Sequence, residues 1–342
     1  IAFGALYPFS LFKPVFRGSH INFTKSLEII SESLYNIIVA LCAAIKIRER
    51  NIFMPFDEIN REFSFPLQKI IDEYEDLNCL KPSEVARTKR KFDRILPEAD
   101  LGKMFTIEGE SAKFYDLIIK ALRYDDLRKS DYIHNSGYLG LSIKTCVYCN
   151  AQLAVVLEKT AGGTQAKFQL DHIRPKSKYP FLAISFFNLC PSCGNCNSVK
   201  NDNSVKFDLY TEDSKDDLNP FLFYVTKDSI VKYMKSYDEE CLKVGFLSTD
   251  GYQALSKDHD KNFSITGIYN TQKDIVAELI QKKEIYTESY KQHLAKQFKD
   301  LFKDESIINR LIIGNYDTVE DIHKRPMAKF TQDIARQLNL IK

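Results

Sequence analysis

From Leu27 onward apolar residues return at steps of three and four. Leu27, Ile30, Leu34, Ile37, Leu41 and Ile45 fall on one stripe of a long helix. Thr24 or Ser26 suits its start, and Arg48 and Arg50 suit its C-terminal end. A second helix is predicted from Pro66 through Ile70, Ile71, Tyr74 and Leu77, with proline at the tolerated first position. A third is predicted over 82–96 and a fourth over 111–128. The texture changes near residue 144. Ala151 to Leu157 is a short apolar run, Thr160-Ala-Gly-Gly-Thr164 is a flexible turn, and Lys167-Phe-Gln-Leu-Asp-His-Ile173 alternates polar and apolar. Two such runs joined through glycines predict a β-hairpin. The polar stretch 194–200 after Pro191 opens a short helix. Further on, 208–217 is an acidic loop and 270–302 is strongly helical, with Ile275, Leu279, Ile285 or Tyr286, and Tyr290 on one side. Shorter helices follow over 306–313 and 325–338.

These elements predict an α+β chain that is predominantly α-helical. They divide it into a helical N-terminal region (1–138), a central module (139–210) and a mixed, then helical, C-terminal region (211–342). The 342 residues suffice for two or three compact units. Residues 1–138 carry no chemical motif and read as a scaffold or a partner-docking unit. The net charge of +2 excludes a global basic field, so affinity for nucleic acid has to come from a local patch. The apolar opening is broken by Pro8 and followed by Lys13 and Arg17, and the apolar run 34–47 carries Asn36 and Lys46. Neither predicts a membrane span or a signal peptide. The numbering begins on Ile1 and not on Met, so residues are expected to precede it.

Cysteine usage changes this picture. Of eight cysteines, five crowd between Cys146 and Cys196. Such clustering, without a secretion signal, predicts thiolate ligands in a reducing cytoplasm and not a disulfide framework. Cys146-Val-Tyr-Cys149 and Cys193-Gly-Asn-Cys196 are two C-x-x-C pairs, each able to turn two thiolates onto one ion. Two pairs supply the closed tetrahedral site of a structural zinc. Cys190-Pro-Ser-Cys193 has the same spacing, so the second pair is ambiguous at this point. Cys42, Cys79 and Cys241 stand alone and read as small buried hydrophobes.

Inside this clamp lie Asp171-His-Ile-Arg-Pro-Lys-Ser177, then Asn188, then Asn197 directly after the last cysteine. Metal-assisted phosphodiester hydrolysis needs a held phosphate, stabilisation of developing charge and a deprotonated water. Asp171 offers a hard carboxylate oxygen suited to Mg²⁺ or Mn²⁺. His172 can accept the proton of the attacking water. Asn197 offers an amide oxygen as a second ligand, and Asn188 suits an orienting role toward backbone or the His172 ring. Arg174, Lys176, Lys178 and Lys200 supply a local basic patch for phosphates. His20, His134, His259, His293 and His323 have no such context and read as surface or structural.

Together these residues resemble the zinc-containing branch of the HNH (ββα-metal) endonucleases. That pattern is a C-x-x-C knuckle, a hairpin ending in Asp-His-Ile-x-Pro-x-Ser, then Asn-Leu, three residues, C-x-x-C-Asn and a basic residue. The chain matches with Cys146/Cys149, Asp171 to Ser177, Asn188-Leu189, Cys193/Cys196-Asn197 and Lys200. The resemblance selects Cys193 and Cys196 and leaves Cys190 over. It implies His172 as general base, Asp171 and Asn197 as ligands of a catalytic Mg²⁺ or Mn²⁺, and Asn188 as the central motif residue. The last position is Asn197 where many members have His, which is a variant able to ligate. Asp208-Leu-Tyr, Asn219-Pro-Phe-Leu-Phe and Ile265-Thr-Gly-Ile-Tyr-Asn270 also resemble the tail of HNH subunits in Septu-type anti-phage systems. That likeness implies bacterial defence beside an ATPase partner. The expected activity is cleavage of nucleic acid, DNA ahead of RNA. The alternative is a zinc-knuckle subunit that binds nucleic acid or a partner without cutting.

Overall fold

The computed structural model describes residues 69–70, 73, 76–77, 80–107, 110–129, 143–160, 162–206, 209–210, 220–249, 253–302 and 305–342. The long helix expected from Thr24, together with Cys42, Cys79, His20, His134, Asn219 and nearly all of the acidic loop 208–217, lies outside the described residues. Of the second predicted helix, Ile70 and Leu77 are described, helical and buried.

Helix α1, Pro82–Phe92, has proline in its first turn, and Glu84 accepts a hydrogen bond from the Lys81 backbone N–H at 2.9 Å. It stops short of the predicted residue 96 and passes through turns into Pro97. Strands β1, Met104–Ile107, and β2, Glu110–Lys113, form an antiparallel ladder. The single helix expected over 111–128 is therefore a strand followed by α2, Phe114–Ala121, and α3, Tyr124–Lys129. Arg123, at φ 51°, takes the left-handed conformation that breaks the helical path between them.

Strands β3, Val155–Glu158, and β4, Thr164–Lys167, form a hairpin closed by Gly162 and Gly163 at positive φ, at the predicted turn but with a second strand that precedes the predicted 167–173 run. The Asp171 segment does not belong to it. Strand β5, Gln169–His172, pairs instead with β6, Leu189–Ser192, and helix α4, Gly194–Lys200, follows directly. The C-terminal part has β7, Phe221–Val225, α5, Lys227–Ser236, and β8, Val244–Ser248, which pairs antiparallel with β7. Then come α6, Gln253–Phe263, α7, Ile265–Tyr269, α8, Lys273–Ile285, α9, Glu288–Gln297, α10, Glu305–Ile313, and α11, Ala328–Gln337. The predicted helix over 270–302 is thus two, and its buried face is Val276, Ala277, Leu279 and Ile280. Ile275 and Tyr286 pack against the same core as expected, whereas Ile285 is 60% exposed and Tyr290, in the next helix beyond the break, is 42% exposed. The architecture is an α+β mixture of helices and small antiparallel sheets.

Two apolar cores flank the β5–β6–α4 unit. In the first, Phe92, Phe114, Ile118 and Leu122 pack with Phe181, Leu182 and Phe186 from the loop joining β5 to β6, and Phe92 stacks on Phe181 at 4.7 Å. In the second, Val147 and Tyr148 pack with Phe223, Phe263, Tyr269, Ile280 and Phe330. Burying each such side chain contributes about 1.5–3 kcal/mol. Helix α11 also satisfies the edge of β7: the Phe223 N–H donates to Asp333, and Gln337 exchanges hydrogen bonds with Val225. Lys329 neutralises Asp333 at 2.6 Å across one helical turn.

Candidate metal centre and cleft

Cys146 opens a turn that Asn150 closes by donating its backbone N–H to the Cys146 carbonyl at 2.9 Å. Asn150 takes φ 52°, a conformation asparagine tolerates better than most residues. Its amide donates to Thr145 and Ile322 and accepts from the Lys329 N–H, which ties the turn to the start of α11. Two further carbonyls of the turn are bound from the C-terminal part. His259 Nε2 donates to the Tyr148 carbonyl at 2.6 Å, and Tyr269 donates to the Cys149 carbonyl at 2.7 Å. Across from this turn, Cys193 caps α4, its sulfur accepting from the Cys196 N–H.

Cys146, Cys149, Cys193 and Cys196 are all buried, and their sulfurs lie within 4.8 Å of one another. One ion at about 2.3 Å from each sulfur spans such a group, and an all-thiol donor set suits a metal such as zinc. Four protein ligands leave no open position, so a metal held there would be structural. Cys190 stands apart from the cluster, opposite Asp171 on the ladder with its sulfur 3.3 Å from the Tyr148 hydroxyl. Burial pushes its thiol well above the ordinary range. Cys241 is half-buried beside Ser236 and Asp238.

Asp171 and His172 end β5, facing Cys190 and Leu189 on β6, and both are buried. The Tyr148 hydroxyl donates to Asp171 Oδ2 at 2.5 Å. The Lys200 ammonium lies 3.1 Å from Oδ2, 3.3 Å from Oδ1 and 2.6 Å from the His172 carbonyl. His172 Nε2 is 3.1 Å from the Ala183 carbonyl. A carbonyl only accepts, so Nε2 carries the proton and Nδ1 holds the free lone pair. Burial, then the Lys176 charge, push the imidazole down to about 3 against the pull of the Ala183 carbonyl. The ring is therefore neutral at physiological pH.

Asn188 accepts from the Arg174 N–H at 2.8 Å and donates to the carbonyls of Arg174 and Leu182. It fastens both ends of the loop after His172 and makes no hydrogen bond to the imidazole.

These groups open onto a cleft of about 470 Å³ whose walls include Asp171, His172, Asn197, Lys176 and Lys200. Half-buried Arg174 and Lys178 are not among its lining residues. Lys200 is only 1% exposed and points inward at Asp171, not outward as one of a solvated patch. Tyr124 and Arg128 of α3 also line the cleft. The Tyr124 ring sits 5.4 Å from that of His172, with Lys176 over its face, and burial raises its hydroxyl to about 12. These two, and Tyr148, escape a motif search. Tyr148 had a signal in its place between the two knuckle thiols, whereas Tyr124 and Arg128 had none.

Over 108 residues the chain is 32% identical to the Septu protein PtuB of Bacillus thuringiensis. The alignment covers 31% of this chain and 33% of the relative, so the chain spans about a third of the length of the curated relative it matches. No family model matches the chain, and no solved structure matches it. Among the described residues, no helix is long and apolar enough to cross a membrane.

Proposed function

We propose that this protein is a metal-dependent endonuclease of the HNH type that hydrolyses phosphodiester bonds, with DNA preferred to RNA. The observation that carries the reading is His172: a buried, neutral imidazole whose Nε2 is committed to the Ala183 carbonyl, leaving Nδ1 as a base beside Asp171 at the cleft. In this reading β5, β6 and α4 form the ββα unit of a module spanning 139–210, and the four thiols hold zinc as a staple at its base.

Asp171 and Asn197 would hold Mg²⁺ or Mn²⁺, which supplies positive charge to the scissile phosphate. Both line the same cleft, and a carboxylate with an amide oxygen is a donor set such ions accept. His172 takes the proton of the attacking water at Nδ1. The negative charge of a bound phosphodiester raises the affinity of the imidazole for that proton from its depressed resting value. Asn188 positions the loop that carries Arg174, Lys176 and Lys178. Lys176 and Arg128 grip phosphates at the cleft, and Arg174 and Lys178 extend that grip outside it.

The likeness to a Septu protein supports a role in bacterial anti-phage defence in the cytoplasm, beside an ATPase subunit. The test is cleavage of plasmid DNA and total RNA by wild type and by His172→Ala, with Mg²⁺, Mn²⁺ or EDTA. Metal-dependent cutting by wild type alone is expected. Equal cutting by His172→Ala overturns the assignment of the base. Tight binding without cutting by the wild-type protein, also when joined by its ATPase partner, favours the zinc-knuckle binder.

A further inference from the structure

Lys200 occupies an unusual place for a lysine. It is 1% exposed, and its ammonium contacts both oxygens of Asp171 and the His172 carbonyl. Lys176 and Arg128 line the same cleft and are more exposed, so a phosphate-gripping role does not explain the burial of Lys200. Tyr148 approaches the same carboxylate from the zinc knuckle but brings no charge. The Asp171 carboxylate is therefore already neutralised within the protein.

We infer that Lys200 is a built-in counterion that weakens divalent-metal binding at Asp171 in the resting protein, so that the metal is held firmly only once nucleic acid is bound. This rests on the reading of Asp171 as a metal ligand. The charges carry the argument. Asp171 and Lys200 form an ion pair whose charges sum to zero, and Asn197 carries no charge. A divalent ion therefore adds two uncompensated positive charges in a part of the site withdrawn from water, with Lys176 adding a third nearby. Asp202 and Arg128 also line the cleft, but both are exposed and screened by solvent. A bound phosphodiester supplies one negative charge, and the transition state at phosphorus develops a second. Bound substrate therefore offsets part of the ion's charge, and the transition state offsets more.

The test is a Mn²⁺ titration followed by electron paramagnetic resonance on the zinc-loaded chain. It compares wild type, Lys200→Met, Lys200→Gln, Asp171→Asn and the Asp171→Asn/Lys200→Met double variant. Zinc content and thermal unfolding identify variants that fold, and two replacements at Lys200 guard against one that does not. Without nucleic acid, both Lys200 variants are expected to bind Mn²⁺ tighter than wild type by on the order of tenfold, and the double variant loses that gain. A phosphorothioate oligonucleotide, DNA and RNA in separate arms, should tighten Mn²⁺ binding by wild type more than by Lys200→Met. Equal affinities of wild type and both Lys200 variants, with Asp171→Asn still weaker, overturn the counterion and leave the nuclease site standing. Equal tightening by oligonucleotide overturns the coupling. If Asp171→Asn changes Mn²⁺ binding in neither background, the metal-ligand reading itself falls.

Discussion

Tyr148 and Asp171 are 23 positions apart, yet the tyrosine hydroxyl donates to the carboxylate at 2.5 Å. The bond links the knuckle of the thiol cluster to the strand that ends in His172. The ring is locked by stacking on Phe263 at 4.5 Å, and its carbonyl is held by His259. Removing only the hydroxyl should therefore free Asp171 without disturbing the knuckle. Tyr148→Phe is expected to lower the cleavage rate by roughly 10- to 100-fold with zinc content unchanged. Steady-state kinetics with metal analysis on the same samples checks this.

Cysteines 149 and 190 are both buried, but only one belongs to the thiol cluster. Cys149→Ser is expected to lose the metal and unfold the central segment, because a structural metal site contributes directly to folding. Cys190→Ser should retain a full complement of zinc. Equal zinc loss in the two variants would refute the four-thiol assignment.

Asn188 makes three hydrogen bonds to the backbone of the loop after His172, two at Arg174 and one at Leu182. Asn188→Ala leaves buried backbone groups of that loop unpaired, a penalty of about 1–3 kcal/mol for each group that finds no water. A lowered urea midpoint with an unchanged slope is the expected result.

His259 is held neutral by burial, which outweighs its bond to the Tyr148 carbonyl and the nearby Asp258 and Asp260, and its pKa falls to about 4. An unfolded histidine titrates near 6.5. Protonation therefore favours the unfolded chain: stability is complete above pH 6.5 and drains away as pH falls toward 4, by about 3 kcal/mol in all. His259→Gln should show a shallower fall in unfolding midpoint between pH 7 and pH 4.5 than wild type. Parallel curves for the two proteins would rule this out.

How far the sequence discloses the site depends on the range over which each residue acts. The thiol pairs are legible because a knuckle is a local object, set by three-residue spacing and by an asparagine able to take positive φ. The glycine turn that closes the β3–β4 hairpin is legible for the same reason. The partner of the Asp171 strand is not, since β6 lies beyond the long loop 173–188 and the nearer run 151–157 offers an equally good apolar pattern. The inward turn of Lys200 is hidden too, because its partner Asp171 lies outside its own helix and a lysine in a polar stretch reads as solvated. Arg123 shows the same limit within the helices: its left-handed backbone splits a pattern that periodicity reads as continuous.

The segment that carries the thiols and the cleft belongs to both neighbouring cores at once. Phe181, Leu182 and Phe186 complete the N-terminal core, whereas Val147 and Tyr148 complete the C-terminal one, and α3 supplies a wall of the cleft. It is therefore not a cassette. Cut out at its ends, it would carry two half-cores into water and leave two more behind. Transplanting this chemistry into another protein, by recombination or by design, requires moving both flanks along with it.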